Sequence, residues 1–238
     1  MDATRGALAA LLTGIAATLV VVALAILPFL SPAWVTFGQA RAQADLWTGF
    51  TPAQLQTVSN QILADLVLGP PDFDVALDGV PVLTEAERAH MRDVRGVFAG
   101  FFAAAAIGAV VLVALFLGAR GPAARRRFWR RLERTGLVIG GVTVVGGALG
   151  VVLFEPAFTL FHEIFFPGGN WQFDPRTDRL VQLFPEAFWV ESTIAVGVTV
   201  ILLAGAMSLV ARWRGRALAS GAMVARSAPL VAGPGAGR

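Results

Sequence analysis

Four stretches of this chain, residues 8–30, 97–117, 135–154 and 192–210, contain no charged side chain and run for 23, 21, 20 and 19 residues. A bilayer hydrocarbon core about 30 Å thick is crossed by roughly 20 helical residues. Backbone polar groups inside lipid have no water to bond, so each stretch is expected to close its own hydrogen bonds as a helix. The first stretch is longer than the roughly 7–15 residue apolar region of a secretory signal, so it is read as an uncleaved anchor. Composition agrees: 56% of the 238 residues are hydrophobic, 15% are charged, and mean hydropathy is +0.68. Soluble domains carry roughly 25% charged residues. The expected fold class is an all-α membrane protein with four transmembrane helices and a small, mostly helical extracytoplasmic cap.

Arginine placement sets the orientation. The chain has no lysine, and 13 of its 19 arginines fall in the N-terminal tail, the loop 118–134 and the C-terminal tail, whereas 14 of the 16 acids fall in 31–94 and 155–191. Basic residues are retained on the cytoplasmic side. Both termini and the Arg-rich loop 118–134 are therefore expected in the cytoplasm of a multi-pass plasma-membrane protein, with 31–94 and 155–191 outside as the cap. The formal pI near 11.1 then says little about nucleic acid, and no nucleic-acid partner is expected; the arginine cluster beside Trp129 more simply meets anionic lipid headgroups. The Ala/Gly/Pro-rich segment 217–238 is read as a disordered cytoplasmic tail.

Gly136 and Gly140, Gly146 and Gly150, and Gly100, Ala104 and Gly108 recur at a spacing that lets helix backbones approach closely in lipid. Packing within one bundle, in a monomer, is the expectation. No ionisable residue interrupts a span, which weighs against a transporter or proton relay. In the cap, Thr51 and Pro52 open a helix with Leu55, Val58, Ile62 and Leu66 on one face. Asp78-Gly79 turns a short hairpin whose Pro81 keeps it at an edge. Thr84 and Glu87 form a capping box that opens a helix running into the second span.

The only two histidines are His90 and His162, the side chains whose unperturbed titration lies nearest neutrality. His90 lies seven positions before Val97, and His162 eight positions after Phe154. At 1.5 Å per residue both sit roughly 10–12 Å beyond the hydrocarbon edge, with Pro156 kinking the path to the second. Glu87 and Asp93 lie one turn either side of His90, placed to orient its ring. Aromatic rings from Phe154 and Phe158 through Phe173 crowd His162. They form either an interfacial belt at headgroup level or a substrate pocket for an acyl chain or a lipid headgroup, for which Phe161, Phe165, Phe166 and Trp171 are the candidates. The absence of cysteine removes thiolate chemistry and disulfides, and a serine-hydrolase elbow is missing. His162-Glu163-Ile164-Phe165-Phe166 begins like a zinc-protease motif but has Phe where the second histidine belongs. No metal site is assigned; two histidines with a carboxylate stand as the metal alternative.

Glu87-Arg88-Ala89-His90-Met91-Arg92-Asp93-Val94 together with Phe161-His162-Glu163-Ile164-Phe165-Phe166 resembles the lipoprotein intramolecular transacylase (Lit) family. The likeness continues through Trp171-Gln172-Phe173-Asp174-Pro175 and Asp178-Arg179-Leu180-Val181-Gln182-Leu183-Phe184-Pro185-Glu186. It implies a four-helix membrane fold with an outer cap, and catalysis by His90 and His162. It also implies diacylglyceryl lipoproteins as substrates. The sn-2 acyl chain would move from glycerol to the lipoprotein's own N-terminal amine, giving the lyso form. Such a transfer needs neither a side-chain nucleophile nor a cofactor, and two imidazoles can divide base and acid roles. The competing expectation is a non-catalytic membrane scaffold with an interaction cap.

Overall fold

The computed structural model describes residues 2–227, with side-chain surroundings for residues 4–220. Four long helices carry the architecture: α1 (Asp2–Ile26), α5 (Glu85–Gly118), α6 (Pro122–Val152) and α9 (Glu186–Ser227). Between α1 and α5 come α2 (Pro32–Arg41), α3 (Ala44–Thr48), α4 (Pro52–Val67) and a two-stranded hairpin, β1 (Ala76–Leu77) with β2 (Val80–Pro81). Between α6 and α9 come α7 (Phe154–Phe165) and α8 (Arg179–Leu183). Each long helix contains a segment apolar enough and long enough to cross a bilayer.

Small residues sit where these helices meet, and large apolar ones face outward. Val21 and Ala25 of α1 pack with Ile139 of α6 and with Val200 and Ala204 of α9. Nearer the termini, Ala17, Phe128, Leu132 and Ala211 form a second buried cluster. Ile107, Val110, Leu137, Val142, Leu202 and Leu209 are exposed, as lipid contact requires of a chain without water around its midsection. The glycine pattern is used selectively. A Cβ on Gly136 would come within 2.6 Å of the Ala204 carbonyl oxygen and closer still to Ser208 Oγ, and one on Gly108 would come within 3.1 Å of the Ala16 carbonyl oxygen. Gly100, Gly140, Gly146 and Gly150 have open space at that position. Close approach therefore occurs at Gly136 and Gly108 alone among these glycines, because the others face away from the neighbouring helices.

The cap has a hydrophobic core of its own. Leu55, Val58 and Ile62 from α4 bury against Phe73, Val75, Val82, Leu83, Met91, Leu180 and Leu183. Thr51 caps α4 reciprocally with Gln54. Asp78 and Gly79 both have positive φ (51° and 80°), the conformation a two-residue hairpin turn demands. Ala76 pairs with Pro81 and Leu77 with Val80. Buried Gln39 donates to the Leu183 carbonyl (2.9 Å) and accepts from Ser59 Oγ (3.0 Å), joining α2, α4 and α8. Trp34 Nε1 donates to Ser192 Oγ (3.1 Å), and Arg41 holds Glu191 with two bonds of 2.7 and 2.8 Å, so α2 is tied to the start of α9.

Two features depart from simple continuation of the spans. The helix leaving the third span breaks at Leu153 (φ −114°, ψ 42°). Pro156 has no N–H for the Val152 carbonyl and its ring crowds that oxygen, so α6 ends and α7 starts afresh. At the other end, α9 continues through Ser227, which corrects the expectation of a disordered tail from residue 217. Ala and Arg supply nine of the 17 residues in 211–227 and are strong helix formers. The remainder of that tail, 228–238, lies outside the described residues.

Gly136→Ala is expected to destabilise the bundle by about 1–3 kcal/mol through overpacking against α9, whereas Gly140→Ala is expected to leave it unchanged or slightly stabilised. Thermal unfolding of both variants in detergent measures the difference.

Candidate active site

The first turns of α5 are built around one carboxylate. Thr84 Oγ1 accepts the Glu87 N–H (3.3 Å), while Glu87 Oε2 accepts from the Thr84 N–H (2.7 Å) and hydroxyl (2.8 Å). The other oxygen, Oε1, accepts the Leu180 N–H at 2.5 Å. Glu87 is fully buried. Its two oxygens face the helix start and α8, so it does not hold an imidazole nitrogen of His90, the role expected of it. What it does is fix the start of α5 against α8, one turn before His90.

His90 and His162 come together. Their ring centroids are 6.0 Å apart, with planes 25° from parallel, and they are 6% and 8% exposed. His162 lies on the inner face of α7, whose outer face presents Leu160, Phe161, Ile164 and Phe165. Its Nδ1 lies 2.7 Å from the Phe158 carbonyl oxygen. A carbonyl only accepts, so Nδ1 carries the hydrogen and Nε2 carries the lone pair.

Aromatic rings enclose the pair. Phe166 (4.9 Å) and Phe173 (5.6 Å) stand edge-on to His90. Trp171 (4.9 Å) and Phe158 (4.0 Å) lie against His162. Of the four expected pocket residues, Phe166 and Trp171 touch the histidines directly. Phe161 meets His162 by its edge at 5.3 Å and is half exposed, and Phe165 stacks on Phe161, away from both imidazoles. Phe158 and Phe173, aromatic neighbours in sequence but outside the four residues singled out, join the pocket; i−4 spacing from His162 places Phe158 on the same helical face. Asp93 reaches the site through another residue: Asn170 Nδ2 donates to its carboxylate at 2.7 Å. Nothing in the sequence around Asn170, in the turn after Pro167-Gly168-Gly169, announces that contact.

Burial determines the electrostatics. Loss of solvent pushes the His90 pKa down to about 4, helped by the neighbouring His162 and opposed by Asp93 and Asn170. Burial also lowers that of His162, opposed by the Phe158 carbonyl. Both rings are neutral at pH 7 and able to accept a proton. Among the described residues, no three His, Asp or Glu side chains converge as a metal-ligand set.

Four apolar helices, a cap over one end and two neutral imidazoles beneath it define an integral membrane protein of the four-span type. The chain belongs to the lipoprotein intramolecular transacylase Lit family, whose model matches residues 11–189. Its fold is that of the membrane integral lipoprotein intramolecular transacylase Lit from Bacillus cereus, with TM-score 0.73 and 17% identity over 93% of this chain and 99% of that one. A variant of the same Bacillus cereus protein, with one histidine replaced by arginine, superposes with TM-score 0.65 and 16% identity over 94% of this chain and 96% of that one. An uncharacterized protein of Aquifex aeolicus is 27% identical over 122 residues, which is 51% of this chain. The match spans 52%, about half, of that relative's length.

Linkage gives a stability signature. His90 binds a proton near its ordinary 6.5 when unfolded and near 4 when folded. The unfolded state therefore holds more protons between those values, and stability is lost as pH falls from about 6.5 towards 4. Thermal unfolding from pH 7 to pH 4 is expected to show a smaller drop in His90→Gln than in the wild type.

Proposed function

We propose that this chain moves the sn-2 acyl chain of a diacylglyceryl-cysteine lipoprotein to that lipoprotein's own N-terminal amine, with His90 and His162 carrying the proton transfers. The observation that carries the reading is the pair of buried, neutral imidazoles 6.0 Å apart inside an aromatic enclosure. Family membership supports it.

In the reaction, the neutral amine nitrogen bonds to the ester carbonyl carbon and the bond from that carbon to the sn-2 oxygen breaks. One proton passes from nitrogen to the departing oxygen. An α-amine titrates near 7.7–8.0, so freeing its lone pair at neutral pH costs little. A neutral imidazole takes the proton as the carbon–nitrogen bond forms. The imidazolium so made gives a proton to the leaving alkoxide, and the second imidazole shares the two roles. The nucleophile and the leaving group belong to one molecule, so the protein's contribution is to hold them together, and Phe158, Phe166, Trp171 and Phe173 supply that enclosure. No cofactor enters this scheme.

The positive-inside bias supports placing both termini and the loop 118–134 in the cytoplasm, the cap outside and the site at the outer face of the plasma membrane. The chain has no native cysteine, so single cysteines report topology without background. Leu68→Cys in the cap is expected to react with an impermeant maleimide on intact spheroplasts, and Arg126→Cys only after lysis.

Mass spectrometry of lipoprotein N-terminal peptides, from a host lacking its own N-acylating enzymes, tests the reaction. Wild type is expected to yield N-acyl, monoacylglyceryl cysteine. His90→Ala and His162→Ala are each expected to cut the rate by roughly 10²–10⁴. Peptides left diacylglyceryl with a free amine by a correctly inserted wild-type protein would overturn the assignment.

A further inference from the structure

Two buried polar atoms beneath the cap have no hydrogen-bond partner among the described residues: His90 Nδ1 and Asn170 Oδ1. They belong to neighbouring groups: Asn170 bonds to Asp93, one turn beyond His90 on α5, and Phe166, four residues before Asn170, packs on the His90 ring at 4.9 Å. Asn170 is also among the groups that oppose the fall of the His90 pKa. The orientation of the amide is dictated from its other end. Asp93 carboxylate oxygens only accept, and one lies 2.7 Å from Asn170, so the atom facing Asp93 is the NH₂ group. The amide oxygen must then face away from Asp93, and the other buried side-chain atom without a partner is the His90 Nδ1. An amide oxygen cannot donate. A hydrogen on His90 Nδ1 satisfies both orphan atoms at once, whereas a lone pair there would leave two acceptors facing each other in a buried site.

We propose that Asn170 is a positioning residue which, anchored by Asp93, fixes His90 in the Nδ1–H tautomer and leaves its Nε2 as the proton-accepting atom. Asp93 thus acts on His90 through an amide, and Asp93, Asn170 and His90 form a relay of orientation, not of protons. His162 reaches the same tautomer by a different route, the Phe158 carbonyl of its own helix. Both histidines then present an unprotonated Nε2, and the proton that moves in the transfer is the one the amine brings. The groups facing His90 are Asp93 on its own helix, His162 on α7, Asn170 on the segment after α7, and the rings of Phe166 and Phe173. In that set the Asn170 oxygen is the neutral acceptor that is buried and without a partner. The catalytic consequence rests on the transacylase reading, but the tautomer does not.

The chain has two imidazoles, so ¹⁵N-histidine labelling of the full-length protein in detergent gives two sets of ring signals, assigned with His90→Ala and His162→Ala. The expected wild-type result is a one-bond proton coupling at Nδ1 of His90 and a free lone pair at Nε2. Asn170→Ala is expected to move the His90 proton to Nε2 or into exchange between the two nitrogens. With the lipoprotein substrate it is expected to lower kcat roughly 10–100-fold, part of what a well-placed imidazole supplies, with KM essentially unchanged. Asp93→Asn keeps an oxygen for the Asn170 NH₂ group and is expected to preserve the tautomer. Asp93→Ala removes that anchor and is expected to lose it, which provides a second variant if Asn170→Ala does not fold. A wild-type His90 protonated at Nε2, or a tautomer unmoved in Asn170→Ala or in Asp93→Ala, overturns the proposal. A wild-type protein that makes no N-acyl product while His90 stays in the Nδ1–H form overturns the transacylase reading alone.

Discussion

The site depends on a carboxylate that takes no part in it. Glu87 is fully buried, and its oxygens accept from Thr84 at the start of α5 and from the Leu180 amide of α8, 93 residues away. A buried carboxylate is costly unless its lone pairs are satisfied, and here three donors converge on it. That cost ties the two outer segments together. The segment 31–94 brings His90, and the segment 155–191 brings His162, Asn170 and the aromatic enclosure. The bond from Glu87 to Leu180 joins them one turn from His90. Hydrophobic burial of Met91 with Leu180 and Leu183 reinforces the same seam. Removing the carboxylate would leave the Leu180 and Thr84 N–H groups without their partner, so the seam is specified by polar satisfaction as well as by apolar area.

The bundle below obeys different rules. Lipid offers no hydrophobic drive between helices, so contacts rely on close approach. Gly136 against Ala204 and Ser208, and Gly108 against Ala16, are points of such approach, where an added Cβ would meet the facing helix. Above the bundle, water returns and ordinary core formation takes over around Leu55, Val58 and Ile62. One chain therefore uses two packing chemistries, divided at the level of the histidines.

Much of this is legible in the sequence for local reasons. Uncharged length gives the spans, Thr51 and Thr84 give the helix starts, and Asp78-Gly79 gives the turn, because each depends on residues within a few positions. The two histidines stand out by scarcity. What escapes is whatever depends on rotation or on distant partners. The spacing of Gly140, Gly146 and Gly150 says nothing of which way each faces, and all three face open space. Glu87 shares a helical turn with His90, yet its partners lie at the helix start and on α8. Asn170 and Asp93 are 77 residues apart, and Asn170 sits in a turn whose sequence advertises only flexibility. Phe158 is within reach of sequence reasoning, as the ring one turn before His162.

The break at Leu153 is a measuring device. A helix that ran on from the third span would carry its side chains outward along the same axis, and every polar group on it would end at a height set by residue count alone. By breaking at Leu153, shortly before Pro156, the chain decouples the length of the span from the height of the segment beyond it. It then restarts a helix with one greasy face and one face bearing a single imidazole. Moving that proline by one turn would displace the restart by about 5.4 Å along the axis, more than the radius of a ring. The proline's place in the sequence thus encodes where along the bundle axis the histidine stands.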